Sequence, residues 1–512
     1  MSATEQLASR DTTPTVAGDE SGRDKERDSE SLDDIIVDWD GPDDPQNPKN
    51  WSKRKKWAAT LVISLFTLIS PLSSSVTAPA SQKIAKEFGI TSEVEIALLT
   101  SIFVLAYAIG PLFLGPLSEI IGRSRTMQGA NLFYLLWNFV CGWARNKGEL
   151  LAFRFLAGIG GSAPLAIGGA VLGDIWKPEE RGQAIALFSL APLLGPVIGP
   201  VCGAFIAERT TWRWVFWATS AFTVLIQLLG VLFIRESYPP VLLEQRAERM
   251  RKAMDSEKGR KQRIRSVFAT EERSWKKLLK TALTRPFILL YNEPIVQILA
   301  LYMAFIYGVF YLFLTSMSVV FEQVYHEQVG IAGLNYIALG VGVTLSSQIN
   351  ARAMDRIYVA LKARNGGAAR PEYRLPSMVP GTFALPIGLF LTGWTVQNKV
   401  HWIVPDIGIA FVGMGVILNF QSIQIYLIDA FTLYAASALA AASFLRSICG
   451  FGFPLFAQSM YNKLGYGTGD SILGAVAIVI GCPAPWVLWK YGAQIRARSR
   501  FAAKQGPVAS QK

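Results

Sequence analysis

The feature that most constrains this chain is the gathering of its apolar residues into runs of about 20, the length an α-helix needs to cross roughly 30 Å of hydrocarbon. Twelve such segments are expected, at 57–78, 96–118, 126–144, 150–173, 183–206, 213–234, 294–320, 329–350, 376–395, 402–427, 431–457 and 470–490. With 51% hydrophobic and only 17% charged residues over 512 positions, a string of soluble domains is excluded. The predicted fold class is an all-α membrane protein of twelve transmembrane helices. Cys141, Cys202, Cys449 and Cys482 lie inside apolar runs without paired spacing and read as packing residues, neither disulfides nor metal ligands.

An even number of segments puts both termini on one side, and the Lys and Arg distribution decides which. With that side cytoplasmic, the inner loops hold Arg123, Arg125, Lys177, Arg181, a long central loop, and Arg352, Arg356, Lys362, Arg364, Arg370 and Arg374. The outer loops hold fewer: Lys83, Lys86, Arg145, Lys147, Arg209, Lys399 and Lys463. Both termini are therefore expected in the cytoplasm, with the plasma membrane as the location. This placement accounts for the net charge of +12 (50 minus 38) without nucleic acid. Residues 1–48, rich in Ser, Thr, Asp and Glu, read as a disordered cytoplasmic tail with no cleaved signal peptide. Residues 49–234 form the expected first six-helix lobe, 235–292 a solvated charged linker beside anionic lipid, 293–491 the second lobe and 492–512 a cytoplasmic tail. Two equal halves around a hydrophilic linker is the architecture of two-lobed transporters, whose repeats flank a central cavity.

One motif recurs in both halves. GPLSEIIGRSR (115–125) follows the second segment and INARAMDRIY (349–358) the eighth. Gly115, Glu119, Gly122, Arg123 and Arg125, with Asp355 and Arg356 in the second copy, form a candidate gate. A carboxylate and a guanidinium at the cytoplasmic end of a helix can bond a neighbouring helix end in one state and release it in another. A fixed topological anchor is the alternative. In APLLGPVIGPVCG (191–203), Gly195, Gly199 and Gly203 leave one helix face bare, while Pro196 and Pro200 remove backbone donors and bend the helix. A tightly packed, bent helix that seals one lobe interface and rocks is expected. Arg154, a few residues inside the fourth segment, needs water, a carbonyl or an acid as partner unless it snorkels outward. No Asp or Glu stands at mid-depth, and Asp174 and Glu293 are the acids nearest to suspicion as proton carriers, with helix-end pairing as the alternative.

GPLSEIIGR resembles the motif between helices 2 and 3 of the major facilitator superfamily, and LLAFRFLAGIGGSAP (150–164) resembles its helix 4 motif around an intramembrane arginine. APLLGPVIGPVCG resembles the helix 5 motif that marks drug/proton antiporters. GDIWKPEERGQA, WRWVFW, RESYPPVLLEQRA, FLRSICGFGFPLF and MYNKLGYGTG resemble stretches of the fungal twelve-helix drug/proton antiporters. Glu119 stands where the wider superfamily has Asp, and Ile120 where a basic residue is common. The resemblance implies a role for Arg154 in coupling proton movement to substrate release. It also implies a cavity between helices 1, 4, 7 and 10, with Tyr302, Phe305, Tyr307 and Tyr311 from helix 7 and Asn419, Gln421 and Gln424 from helix 10 as candidate lining. Aromatic surfaces with scattered amides suit a large, flat, weakly polar ligand, although most of these rings must face lipid or other helices.

The expected function is proton-coupled efflux of a hydrophobic aromatic small molecule, a drug or a polyketide toxin of the cercosporin type, by a monomer in the bilayer that uses no cofactor or metal. Polyamine or broad multidrug export is the alternative, and a non-transporting membrane sensor a third reading. An enzyme is not expected: there is no HExxH, no Cys/His metal spacing, no nucleophile elbow, and no phosphate-binding loop for an ATP-driven pump.

Overall fold

Within hydrocarbon the backbone of an apolar run has no partner but itself, and long helices result. The computed structural model describes residues 35–177, 180–255, 264–268 and 275–502. In chain order the elements are β1 (Ile35–Val37), α1 (Lys53–Ser75), α2 (Ser81–Phe88), α3 (Glu93–Ile120), α4 (Arg123–Cys141), α5 (Lys147–Gly161), α6 (Ala163–Ile175), α7 (Arg181–Arg209), α8 (Arg213–Phe233), α9 (Pro239–Asp255), β2 (Ile264–Ser266), α10 (Trp275–Asn292), α11 (Pro294–Gln323), α12 (Val329–Leu334), α13 (Tyr336–Arg364), α14 (Val379–Gln397), α15 (Ile403–Ala430), α16 (Ala435–Gly481) and α17 (Pro483–Arg498). Among the described residues, ten helices or joined helices are long and apolar enough to cross a membrane. Two of the twelve expected segments are hidden in that number. The third is α4, whose Arg123, Arg125, Gln128, Asn131 and Asn138 lower its hydropathy. Its amides are spent on α8: Asn131 donates to Gln227 at 2.7 Å, and Asn138 donates to Thr219 and Ser220 at 3.0 and 2.9 Å. The eleventh and twelfth run together as α16, with the chain turning at Gly465 (φ 78°, ψ 165°), a backbone conformation that glycine adopts without strain.

The helices from α1 to α8 pack chiefly on one another, as do those from α11 to α17. The two groups meet where α3 lies along α16 and where α7 lies on α12 and α13. Contrary to expectation, the glycines of α7 do not form that seam. A Cβ on Gly195 would stand 2.8 Å from the Leu72 nitrogen, one on Gly199 2.6 Å from the Leu72 carbonyl oxygen, and one on Gly203 2.2 Å from the Val76 carbonyl oxygen. The bare face is the bed of α1 and its C-terminal turn, inside the first group. Val197 and Ala204, on another face of α7, meet Gly340 and Gly333 of the second group. The helix continues through Pro192, Pro196 and Pro200.

The expected N-terminal tail is structured from residue 35. β1 pairs in parallel with β2, Ile35 opposite Ile264 and Val37 opposite Ser266, and Val37, Ala247 and Ile264 form a small apolar core. Arg246 of α9 donates to Asp44 at 3.1 Å and to Asp40. Burial raises the Asp44 carboxyl, but backbone donors at Asp40 and Gln46 together with Arg246 outweigh it and hold the group below its ordinary value. The linker is likewise not merely solvated: α10 packs on α3 and α16. At the other end, Arg496 is buried and donates to both oxygens of Glu372 at 2.9 and 2.8 Å, so α17 carries order into the expected tail. Residues 1–34, 256–263, 269–274 and 503–512 of these tails and linker lie outside the described residues.

Two outcomes follow from this packing. Gly203→Leu should cost ~1–3 kcal/mol by overpacking α7 against α1, lowering the melting temperature in detergent. Gly173→Ala, where a Cβ meets nothing within 4 Å, should leave it unchanged or higher. Arg246→Ala should speed limited tryptic cleavage at Arg249 and Arg251 about tenfold, the ratio that ~1.4 kcal/mol of lost pairing gives; an unchanged rate would mean that the strand pair alone holds the strap.

Candidate functional site

The seam between the two groups is polar where α1 enters it. A cluster of serines lies near the end of this helix, and each hydroxyl finds a protein partner. Ser70 bonds the Tyr107 hydroxyl at 2.6 Å, Ser73 bonds Tyr134, and Ser74 bonds Tyr311 of α11 at 3.0 Å, a contact that crosses from one group to the other. Arg154 completes this arrangement. It is 1% exposed, so it does not snorkel. Its guanidinium donates to the carbonyls of Ser73, Ser74 and Thr100 at 3.2, 3.3 and 3.3 Å and lies 5.0 Å from the Phe103 ring. Three helices, α1, α3 and α5, are tied by one cation.

The structure does not bring the three expected coupling residues together. Asp174, at the end of α6, accepts from Arg123 at 3.4 Å, at the far end of the bundle from Arg154. Glu293 is buried at the N-cap of α11 and makes no capping bond with its side chain.

The candidate gate is assembled more fully than its motif implies. Arg123 reaches Ser118 at 2.6 Å, Asp174 at 3.4 Å and Glu119 at 4.0 Å, with its guanidinium 4.5 Å from the Tyr238 ring. Glu236, not anticipated, accepts the Arg123 and Ser124 backbone N–H groups at 2.9 and 3.2 Å and so caps α4. Gly122 has φ 107°, and a Cβ there would stand 2.2 Å from a Glu236 oxygen. Gly115 has open space around its Cα, and Arg125 is exposed.

In the second half the expected pairing of Asp355 with Arg356 is not found. Arg356 is exposed, and Asp355 instead accepts from Arg374 at 3.0 Å. Arg374 also donates to Asp429 at 3.0 Å and sits 4.1 Å from the Tyr358 ring. The two clusters match in outline: an acid in the last third of the second helix of each half, an arginine at or before the start of the third, and an acid ending the fourth.

Of the expected cavity residues, Tyr302 is fully buried and faces Gly481 of α16, and Phe305 packs edge-on to Phe453 with ring centres 6.0 Å apart. Asn419 is spent on the Gly415 carbonyl at 2.7 Å, and Gln421 on Ser347 and Asn350 of α13 at 2.7 and 3.0 Å. Tyr311 is consumed by Ser74. Tyr307 and Gln424 remain half-buried. Tyr307 lies 6.5 Å from the Phe420 ring at an interplanar angle of 21°, and Gln424 follows Phe420 by one turn on the same face of α15. Arg446 of α16 adds a guanidinium 4.8 Å from Tyr307 and 5.1 Å from Phe420. The sequence reading passed over Arg446 and Phe420, although an arginine inside an apolar run is the same signal that singled out Arg154.

Two helical halves, a seam of aromatic and polar groups, and matched acid–arginine clusters at one end define a two-lobed membrane transporter, as its sequence motifs implied. The Major Facilitator Superfamily profile matches residues 63–454, and the chain belongs to that family. It is 48% identical to "Efflux pump vrtL" of Penicillium aethiopicum, over 91% of this chain and 92% of that protein. It is 43% identical to "MFS transporter cpaT" of Aspergillus oryzae, over 91% and 92%, and 40% identical to "Efflux pump radE" of Floropilus chiversii, over 93% and 87%. Among solved structures, the partially occluded inward-open xylose transporter XylE of E. coli aligns with a TM-score of 0.62 at 16% identity, covering 85% of this chain and 99% of that one. A bacterial homologue of the lysosomal transporter Spinster aligns with a TM-score of 0.60, also at 16% identity, over 87% and 98%. These likenesses show the fold. The chain is a transporter and not an enzyme.

The gate geometry separates two neighbouring arginines. Arg374→Gln leaves Asp355 and Asp429 without their cation and should slow transport about tenfold, equivalent to ~1.4 kcal/mol on the conformational step. Arg356→Gln, at an exposed residue, should stay within about twofold of wild type. Flux per molecule of purified protein checks both, and equal losses would contradict the pairing seen here.

Proposed function

We propose that the protein exports hydrophobic aromatic small molecules, drugs or fungal secondary metabolites such as polyketide toxins, across the plasma membrane in exchange for protons. Export is supported above all by 48% identity over 91% of the chain to a protein named an efflux pump. The substrate class is supported by the Tyr307–Phe420 pair beside Gln424, where flat apolar faces adjoin a few polar groups. The two halves, 49–234 and 293–491, act as lobes that rock about the seam, with both termini in the cytoplasm. The clusters around Arg123 and Arg374 act as gates, bonded within their own halves in the state described here and rebonded or released in the opposite state. Arg154, Asp174 and Glu293 take part in proton coupling, Arg154 through the α1–α3–α5 tie and not by direct contact with either acid. The functional unit is a monomer. Polyamine export is disfavoured, since a polycation wants carboxylates and the half-buried seam offers an arginine.

Purified protein in proteoliposomes with an imposed pH gradient, offered aromatic toxins, drugs and polyamines, tests the proposal. An aromatic compound should accumulate against its gradient only while the proton gradient lasts. Arg154→Ala should abolish this accumulation, and Arg154→Lys should restore part of it. Flux that ignores the proton gradient would overturn coupling, and the absence of flux for every compound would favour a sensor.

A further inference from the structure

The two intramembrane arginines differ in how their charge is met. Arg154 gives its two terminal nitrogens to three carbonyls, although its Nε, like that of Arg446, is buried without a partner. Arg446 stands 11 residues into α16, about 16 Å along the helix axis at 1.5 Å per residue and roughly a third of the way to the turn at Gly465, within an apolar span. Among the described residues it forms no ion pair and no hydrogen bond, and its Nε is buried without a partner. Its two contacts of note are the faces of Tyr307 and Phe420, which attract a cation but accept no hydrogen bond in the plane of the guanidinium fork. The surroundings are those of the lobe seam: one turn onward, a Cβ on Gly450 would touch Tyr307 at 2.9 Å and Val104 of the first lobe at 3.2 Å.

Arg446 is half-buried, and with no acceptor among the described residues its guanidinium is left to water or to a bound anion. We propose that Arg446 is an anion subsite within the transport cavity and that the preferred substrates are aromatic acids. The carboxylate or ionised phenol pairs with the Arg446 fork while the ring system lies against Tyr307 and Phe420. This deepens the export reading and rests on it for the site's purpose, though not for its geometry. A polyamine, by contrast, would meet the Arg446 charge as a second cation.

The test uses a matched pair of probes, pyrene carboxylate and pyrene carboxamide, with the full-length protein in nanodiscs and binding followed by fluorescence. Wild type should bind the carboxylate about tenfold or more tightly than the amide, the ratio that one charge-assisted pair supplies. Arg446→Gln should bring the two within about twofold by weakening the carboxylate alone, and Arg446→Lys should keep part of the preference. Equal binding of both probes by wild type, failure to bind either, or a preference that survives in Arg446→Gln would overturn the subsite. Flux of both probes in proteoliposomes separates the two claims. Export of both without preference refutes the subsite and leaves export standing, whereas Arg446-dependent binding with no flux refutes export and leaves the subsite.

Discussion

A polar group inside a bundle in hydrocarbon must find its partner within the protein, and the positions of the helices here follow from how α1 meets that demand. Thr60, Ser64 and Thr67 return their hydroxyls to carbonyls one turn back on α1 itself. Ser70, Ser73 and Ser74 instead reach tyrosines on three other helices. Arg154 then takes two carbonyls from the same turn of α1 and one from α3. Helix α1 can come this close because α7 offers it a surface without side chains at Gly195, Gly199 and Gly203. Lipid supplies no hydrophobic drive for association between helices, so close packing and these bonds carry the tie. The Ser74–Tyr311 contact extends the same network across the seam.

The charged clusters at the other end show how an internal repeat is preserved through different residues. Glu119, Arg123 and Asp174 correspond in place to Asp355, Arg374 and Asp429, and each arginine also rests on a tyrosine ring. The lengths around the arginines differ. In the first half the acid and the arginine stand four positions apart across the turn at Gly122, Glu119 at the end of α3 and Arg123 at the start of α4. In the second, Asp355 and Arg374 stand 19 positions apart in sequence, and the fold closes the gap. The shared requirement is a cation between three helix ends, and either spacing meets it.

That difference explains what could be read from the sequence. Helix placement was legible because membrane spans are long and apolar, and the eleventh and twelfth are set apart in sequence by the polar stretch around Asn462, Lys463 and Asp470, although the backbone breaks there only at Gly465. The pairing in the first cluster was legible because Glu119 and Arg123 are only four positions apart in the chain. The second was assigned to Arg356 because it adjoins Asp355, whereas neighbours in sequence on a helix point about 100° apart. The role of the α7 glycines was half legible: periodicity reveals a bare face but not which helix lies on it. Composition likewise marked α11 and α15 as aromatic and amide-rich. It could not tell that Tyr302 turns to α16 or that Gln421 turns to α13, leaving Tyr307, Phe420, Gln424 and Arg446 at the seam.

The seam itself is built for exchange. Its contacts include Val197 on Gly340, Ala204 on Gly333, Gly330 against Phe205, Gly450 against Val104 and the Ser74–Tyr311 hydroxyl pair, and each ion pair named in the two acid–arginine clusters stays within its own half. Small-residue contacts of this kind are individually weak and can be replaced by similar ones after a rotation, whereas a salt bridge across the seam would leave two charges buried when broken. The rocking proposed above requires the two orientations to differ in free energy by little enough for a ligand to bias. A ligand does so only if it contacts the orientations unequally. Under that proposal, a ligand that touches both lobes at the seam, where Val104 of the first and Tyr307 of the second meet at Gly450, makes contacts whose number changes as the lobes rotate, and this inequality would convert binding into movement.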